Sequence, residues 1–290
     1  MASADVTGVV KTAVDELIKA VKAGKSETLK RYLAMAGRFH RYSWRNVLLI
    51  MTQRPEATFV AGYGRWRQLG RYVRRGERGI RIVAPVTVRA QNATAEEADE
   101  RITAFKQAVV FDVAQTDGRP LPEPSKAEGD PGHVMSRLKR CVTERGITLD
   151  YSNRIGPAQG MSLGGMILLR KDMDPAEEFS TLTHELAHEI LHQGPPSSRA
   201  DRTVREVEAE AVAFIVCRAV GMEAQEASAD YIQLYRGDAK TLMASLQHIQ
   251  TTARDILGGI TGETVCARER IATASVKTAG GRGHSQPVFT

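Results

Sequence analysis

Residues 115–132, QTDGRPLPEPSKAEGDPG, hold four prolines and three glycines. Proline fixes φ and lacks a backbone donor, while glycine leaves the backbone unrestrained, so no long helix or strand is expected through such a stretch. A chain of 290 residues broken there is expected to build two units. The division expected is a first domain over 1–122, a linker over 123–131, a second domain over 132–265 and a flexible tail over 266–290, where Gly and polar residues dominate.

Charge follows the same division. Residues 1–90 carry 18 Lys/Arg against 6 Asp/Glu, whereas 91–130 carry 4 against 9 and the remainder is close to neutral. A basic first third and a neutral last half suggest different partners. Apolar runs such as 47–51 and 166–169 are far shorter than the roughly 18–20 residues of a membrane span, so no membrane role is expected. The first residues place Asp and Lys where a secretion signal needs an apolar core. Cys141, Cys217 and Cys266 are few and far apart, which argues against a disulfide scaffold and for a reducing, cytoplasmic setting.

In the first region, apolar spacing predicts helices over 9–22, over 26–37 with Ser26 as N-cap and Gly37 as the stop, and over 43–53. A short helix is expected at 64–70, and RIVAPVTVRA and QAVVFDVAQ read as strands. Between Lys30 and Arg89 there are fourteen Lys/Arg and two acids, Glu56 and Glu77. Eight of the sixteen aromatics lie between Tyr32 and Tyr72: Tyr32, Phe39, Tyr42, Trp44, Phe59, Tyr63, Trp66 and Tyr72. Cations neutralise phosphates and aromatic faces stack unpaired bases, so this mixture suits single-stranded nucleic acid. About half of the rings are expected to be core. The contact residues proposed are Arg38, Arg41, Trp44, Arg45, Tyr63, Arg65, Trp66, Arg67, Arg71, Arg74 and Arg75.

The run YSWRNVLLIMTQRPEATFVAGYGRWRQLGRYVRRGERGIRIVAP, followed by VFDVAQTDGRPLP, resembles the N-terminal domain of ArdC-type antirestriction proteins over about residues 10–122. The resemblance implies a single-stranded DNA-binding domain of proteins found with conjugative plasmids, and protection of incoming DNA from restriction.

The second region opens with an amphipathic helix over 133–145 and short strands with Gly turns over 147–170. EEFSTLTHELAHEILHQ (177–193) follows, a helix whose apolar stripe is Phe179, Leu182, Leu186 and Ile190. His184 and His188, four residues apart, share a helical face and can bind one Zn2+. Glu185 lies about 100° around the helix, where it can act as general base. His192 continues the series, but drift of about 40° per four residues carries it off the metal towards a packing or supporting role. Glu189 departs from the stricter pattern, which prefers an uncharged residue there.

A second helix, 203–220, contains Glu206-Val207-Glu208-Ala209-Glu210. Where zinc peptidases use a glutamate third ligand, that helix reads Glu-x-x-Ala-Asp/Glu/Asn. Glu206 fits as ligand and Glu210 as its support, with Glu208 as the competitor. Helices over 228–257 bring Tyr231 and Tyr235, one turn apart, as candidate donors to an oxyanion.

The segment GMSLGGMILLRKDMDPAEEFSTLTHELAHEILH resembles the zincin-like metallopeptidase domain of ArdC-type proteins and ImmA/IrrE-like peptidases. The resemblance carries ligand roles onto His184, His188 and Glu206 and the base role onto Glu185. It implies an edge strand at 165–170 that aligns an extended peptide. One zinc per chain is expected, with Mn2+ and Co2+ open because availability decides among them. The expected fold is α+β: an α+β single-stranded DNA-binding domain, then a mainly helical zincin-like domain with a small sheet. Three functions remain in play: a peptidase acting on a DNA-associated protein of unknown identity, a regulatory peptidase that cleaves a repressor, and a non-catalytic single-strand-coating protein with structural zinc.

Overall fold

The computed structural model describes residues 3–23, 26–89, 100–121, 131–193, 201–222 and 239–262. The fold is mixed α and β, as expected. Helices α1 (Ser3–Lys22), α2 (Ser26–Arg38) and α3 (Trp44–Gln53) come first, followed by β1 (Val60–Gly62), α4 (Tyr63–Gln68), β2 (Arg71–Val73), β3 (Ile80–Arg89), β4 (Glu100–Asp112) and β5 (Thr116–Gly118). Then come α5 (Pro131–Glu144), β6 (Thr148–Tyr151), β7 (Gly160–Ser162), β8 (Met166–Leu169), α6 (Pro175–Leu191), α7 (Arg202–Ala219) and α8 (Ala239–Thr261). Regular structure reaches into both ends of the Pro/Gly-rich stretch, at β5 and at Pro131 in the first turn of α5, where a missing N–H costs nothing. The linker proper and the tail lie outside the described residues, as do Tyr231 and Tyr235.

One compact unit comprises Met1–Ala84 and Lys106–Thr264, so helices from both sides of the connector share it. The second unit, Pro85–Phe105 with Val265–Thr290, is described only over its strand residues of β3 and β4. Within the first unit the apolar core runs from Leu17, Leu33 and Trp44 to Phe179, Val212 and Ile256. Gly37 does not stop α2. It is buried where α2 crosses α7, and a Cβ there would lie 3.3 Å from the Ile215 carbonyl oxygen. The buried Gln250 and Arg254 of α8 both donate to the carbonyls of His40 and Tyr42, tying α8 to the turn after α2.

The N-terminal sheet has the order β1-β4-β3, with Val60 opposite Asp112 and Gly62 opposite Val110, antiparallel. Two side-chain amides line the edge strand β3: Asn46 exchanges hydrogen bonds with the Val83 backbone, and Gln53 with that of Arg81. The VFDVAQ motif has a packing reason. Buried Asp112 accepts from the backbones of Thr58, Phe59 and Ala114. Gln115 returns a bond to the Asp112 backbone and donates to Glu77 and to the Arg78 carbonyl. A second pairing, β2 with β5, holds the chain that follows.

The C-terminal sheet has the order β6-β8-β7. β8 pairs in parallel with β6 and antiparallel with β7. The strand at 166–169 is therefore central, and the edge expected there belongs to β7. The apolar alternation of Ile167 and Leu169, both fully buried, is what a central strand under α6 requires.

Candidate metal centre and basic face

α6 starts sharply. Asp174 accepts from the N–H groups of Ala176 and Glu177, Pro175 occupies the first turn, and Glu177 and Glu178 complement the helix dipole. Phe179, Leu182, Leu186 and Ala187 are fully buried, which fixes the rotation of the helix and hence the direction of its polar stripe. α7 is capped by Asp201 and packs its Ala209, Ala213 and Cys217 side towards the interior. Burial pushes the Cys217 thiol up to about 11, against a hydrogen bond with Ser180 of α6.

These two helices bring three donors together. His184 Nε2 lies 3.1 Å from His188 Nε2, and Glu206 Oε2 lies 3.6 Å and 3.4 Å from them. Donors bound tetrahedrally at about 2.0–2.1 Å stand about 3.3–3.4 Å apart, so the triangle has the dimensions a divalent cation needs. Two imidazoles and one carboxylate are also the donor chemistry that zinc and its neighbours accept. The His184 and His188 imidazoles beside it hold the Glu206 carboxyl well below the usual carboxylate range.

Glu185 is 8% exposed. Burial raises its pKa, His184 and His188 draw it back, and Glu206 adds to the rise; the net shift is upward. β7 passes directly against it. A Cβ on Gly160 would sit 2.8 Å from Glu185 Cγ, so only glycine lets the strand come this close. The centre opens into a cleft of about 730 Å3, lined by Gly160, Met161 and Ser162 on one side and Arg202, Arg205 and Glu206 on the other.

Glu208, the competitor, faces another way. It is buried, with Oε2 3.0 Å from His192 Nε2 and Oε1 3.5 Å from His248 Nδ1. His192 Nδ1 in turn lies 3.0 Å from His188 Nδ1. Glu210 lines a neighbouring hollow with Ser180, Thr181 and His184. Glu189 has a task that its departure from the pattern did not reveal. Its carboxylate accepts from the Ser162 hydroxyl and from the N–H groups of Gly164 and Gly165, both at positive φ, and so locks the β7–β8 turn onto α6.

The basic region divides differently from the contact list proposed for it. Trp66 is fully buried and donates its indole N–H to the Phe111 carbonyl at 3.0 Å; Trp44 is 4% exposed, with the Arg45 guanidinium over its ring. Neither ring is presented to a base, because the largest apolar side chains gain most from the core. Tyr32 and Phe39 are buried too, and Tyr42 is half-buried. Arg71 is committed to Thr116, through Nε at 2.8 Å and Nη2 at 2.9 Å, and Arg74 pairs with Glu77 and Asp117. Arg38, Arg41, Arg45, Arg65, Arg67 and Arg75 are exposed, as is Tyr63. Outside that set, Phe59 and Tyr72 are also about half exposed, and Arg78 and Arg81 are exposed. Strand alternation carried the signal for Tyr72: Arg71 and Val73 turn one way, so Tyr72 turns the other.

Fold and donor set together define a class: α+β proteins in which a His-Glu-x-x-His helix meets a glutamate from the next helix. Residues 8–111 match the family described as the N-terminal domain of anti-restriction factor ArdC. The antirestriction ArdC protein from plasmid R388 has been solved metal-free and with Mn(II) bound. The metal-free structure is similar at a TM-score of 0.52 and 20% identity, covering 88% of this chain and 98% of that one. The Mn(II)-bound structure gives 0.54 and 19%, covering 88% and 99%. An uncharacterized Bacillus anthracis protein, pXO2-81, is 23% identical over 77% of this chain, which spans about half (46%) of that protein's length. Among the described residues no helix is long and apolar enough to cross a membrane.

Proposed function

We propose that the chain is an antirestriction-type protein that binds single-stranded DNA on its basic N-terminal surface and hydrolyses a peptide bond of a DNA-associated protein at the His184–His188–Glu206 centre. The observation that carries the reading is the convergence of those three donors beside Glu185. A divalent cation held there, zinc by the donor chemistry, supplies Lewis acidity, polarising a carbonyl and acidifying water. Glu185, raised by burial, accepts a proton from water in the cleft and returns it to the leaving amine. The edge strand β7 offers its outward main chain to an extended peptide, and Glu189 keeps that strand in place. Exposed arginines and Tyr63, Tyr72 and Phe59 supply phosphate contacts and stacking faces. The Mn(II) bound by the R388 protein supports a divalent-ion reading.

The test compares wild type with Glu185→Gln. Bound metal is measured by elemental analysis, oligonucleotide affinity at two salt concentrations, and cleavage of single-strand-binding proteins by mass spectrometry. Both proteins should hold the metal and prefer single strands, and only wild type should cleave. Absence of metal sinks the catalytic part and leaves a DNA-binding protein. Metal without single-strand preference points instead to a repressor-cleaving regulator.

A further inference from the structure

We infer that His192 and Glu208 form a buried relay that fixes the His188 imidazole with its proton on Nδ1 and its lone pair on Nε2, the atom turned towards the metal centre. The inference rests on the reading of His184, His188 and Glu206 as cation donors. It concerns two residues outside that donor set.

Protons are placed along one line of contacts. The Glu208 carboxylate, 3% exposed, only accepts. At 3.0 Å from its Oε2, His192 Nε2 must carry a proton. A neutral imidazole has one, so His192 Nδ1 presents a lone pair. That lone pair faces His188 Nδ1 at 3.0 Å, which must therefore be the donor. The remaining nitrogen of His188, Nε2, is left as an acceptor, 3.1 Å from His184 Nε2 and 3.4 Å from Glu206 Oε2. The opposite polarity would place a proton on His188 Nε2 and remove the donor. Glu208 is itself oriented from the far side by His248, 3.5 Å from Oε1, and by the Ser245 hydroxyl. The relay thus joins α6, α7 and α8, and its inner members are shielded from competing water. A ligating histidine whose other nitrogen is held in this way keeps both tautomer and ring orientation, and loss of such support typically weakens metal binding about 10–100-fold.

His192 and Glu208 are positioning residues, and the test reads what a merely structural role would leave unchanged. In zinc-loaded full-length protein with 15N-labelled histidine, long-range proton–nitrogen spectra should show His188 protonated on Nδ1 and metal-bound through Nε2. Binding through Nδ1 would overturn the inference. Zinc affinity is then measured by competition with a chromophoric chelator, alongside the thermal midpoint of each metal-free variant. His192→Phe should bind zinc about 10–100-fold more weakly. His192→Gln, whose side-chain carbonyl can accept from His188 Nδ1, should recover most of that loss. Equal affinity in His192→Phe and wild type, or no rescue by glutamine, would overturn the relay while leaving the donor set standing. A wild type that takes up no zinc overturns both. If His192→Phe does not fold, the spectrum of the wild type still decides.

Discussion

The two regions of this protein carry chemistry in different ways. In the C-terminal region it resides in single atoms: His184 and His188 point the same way because a helix repeats every 3.6 residues, and Glu206 meets them because α6 and α7 pack through small side chains. In the N-terminal region it resides in a field. Among the described residues the exposed arginines Arg38, Arg41, Arg45, Arg65, Arg67, Arg75, Arg78 and Arg81 spread positive charge over the surface, with no single one decisive. A point site fails when one atom moves, whereas a distributed site weakens in steps.

His188→Ala is the severest test of that contrast. It should reduce metal affinity by more than the roughly 10–100-fold that losing a supporting group costs, and leave single-strand affinity unchanged. Equilibrium dialysis with elemental analysis, paired with fluorescence anisotropy on a labelled oligonucleotide, measures both. Loss of DNA binding in step with the metal would mean that the regions are not separable.

Aromatic substitutions sharpen the contrast within the basic region. Trp66→Ala should destabilise the fold by about 3–5 kcal/mol, since it empties a fully buried site and removes the indole N–H bond to the Phe111 carbonyl. Tyr63→Ala and Tyr72→Ala should leave the thermal midpoint nearly unmoved and cost about 1–3 kcal/mol of single-strand affinity for each base that the ring stacks. A tyrosine variant that melts early while binding normally would assign that ring to packing.

Acid tests the buried polar line through Glu208. Burial raises the Glu208 pKa, but hydrogen bonds from His192, His248 and Ser245 outweigh it and hold the group at about 2. A carboxyl lowered on folding from its ordinary value near 4.5 contributes stability that is present above that value. The contribution is lost as pH falls from about 4.5 through about 2. Metal-free wild type should therefore lose thermal stability across that window, and Glu208→Gln should be less stable at neutral pH and flatter in acid. Parallel curves for the two proteins would show that Glu208 is not held in this way.

What the sequence made legible follows from the same distinction. The α+β class, the donor helix and its partner could be read because turns, caps and helical period leave a local trace. Gly37 misled, because a glycine that ends a helix and one that admits a crossing helix look alike until α7 is in place. Glu189 looked like a blemish on a motif, since its three partners lie some 25 residues upstream on a turn whose geometry no local pattern announces. The edge strand was misplaced because sheet order is a long-range property: β8 follows β7 in the chain yet lies inside it in the sheet. Composition places Trp44 and Trp66 among the DNA contacts, whereas both rings are buried.

The smallest expected effect tests the field most directly. Arg67 is exposed on α4, whereas Arg71, four residues on, spends its guanidinium on Thr116. If phosphates are neutralised by the exposed set, Arg67→Ala should lower the slope of log affinity against log salt by about 0.7, the value for one phosphate contact on a single strand. Metal content and thermal midpoint should stay as in wild type. Arg71→Ala should do the reverse, lowering the midpoint with little change in slope, because its loss unties β5 from β2 rather than freeing a phosphate. Both variants are measured on one oligonucleotide between low and moderate salt. A slope change in Arg71→Ala equal to that in Arg67→Ala, at constant midpoint, would mean that the hydrogen bonds to Thr116 open in the complex and that committed arginines also belong to the binding face.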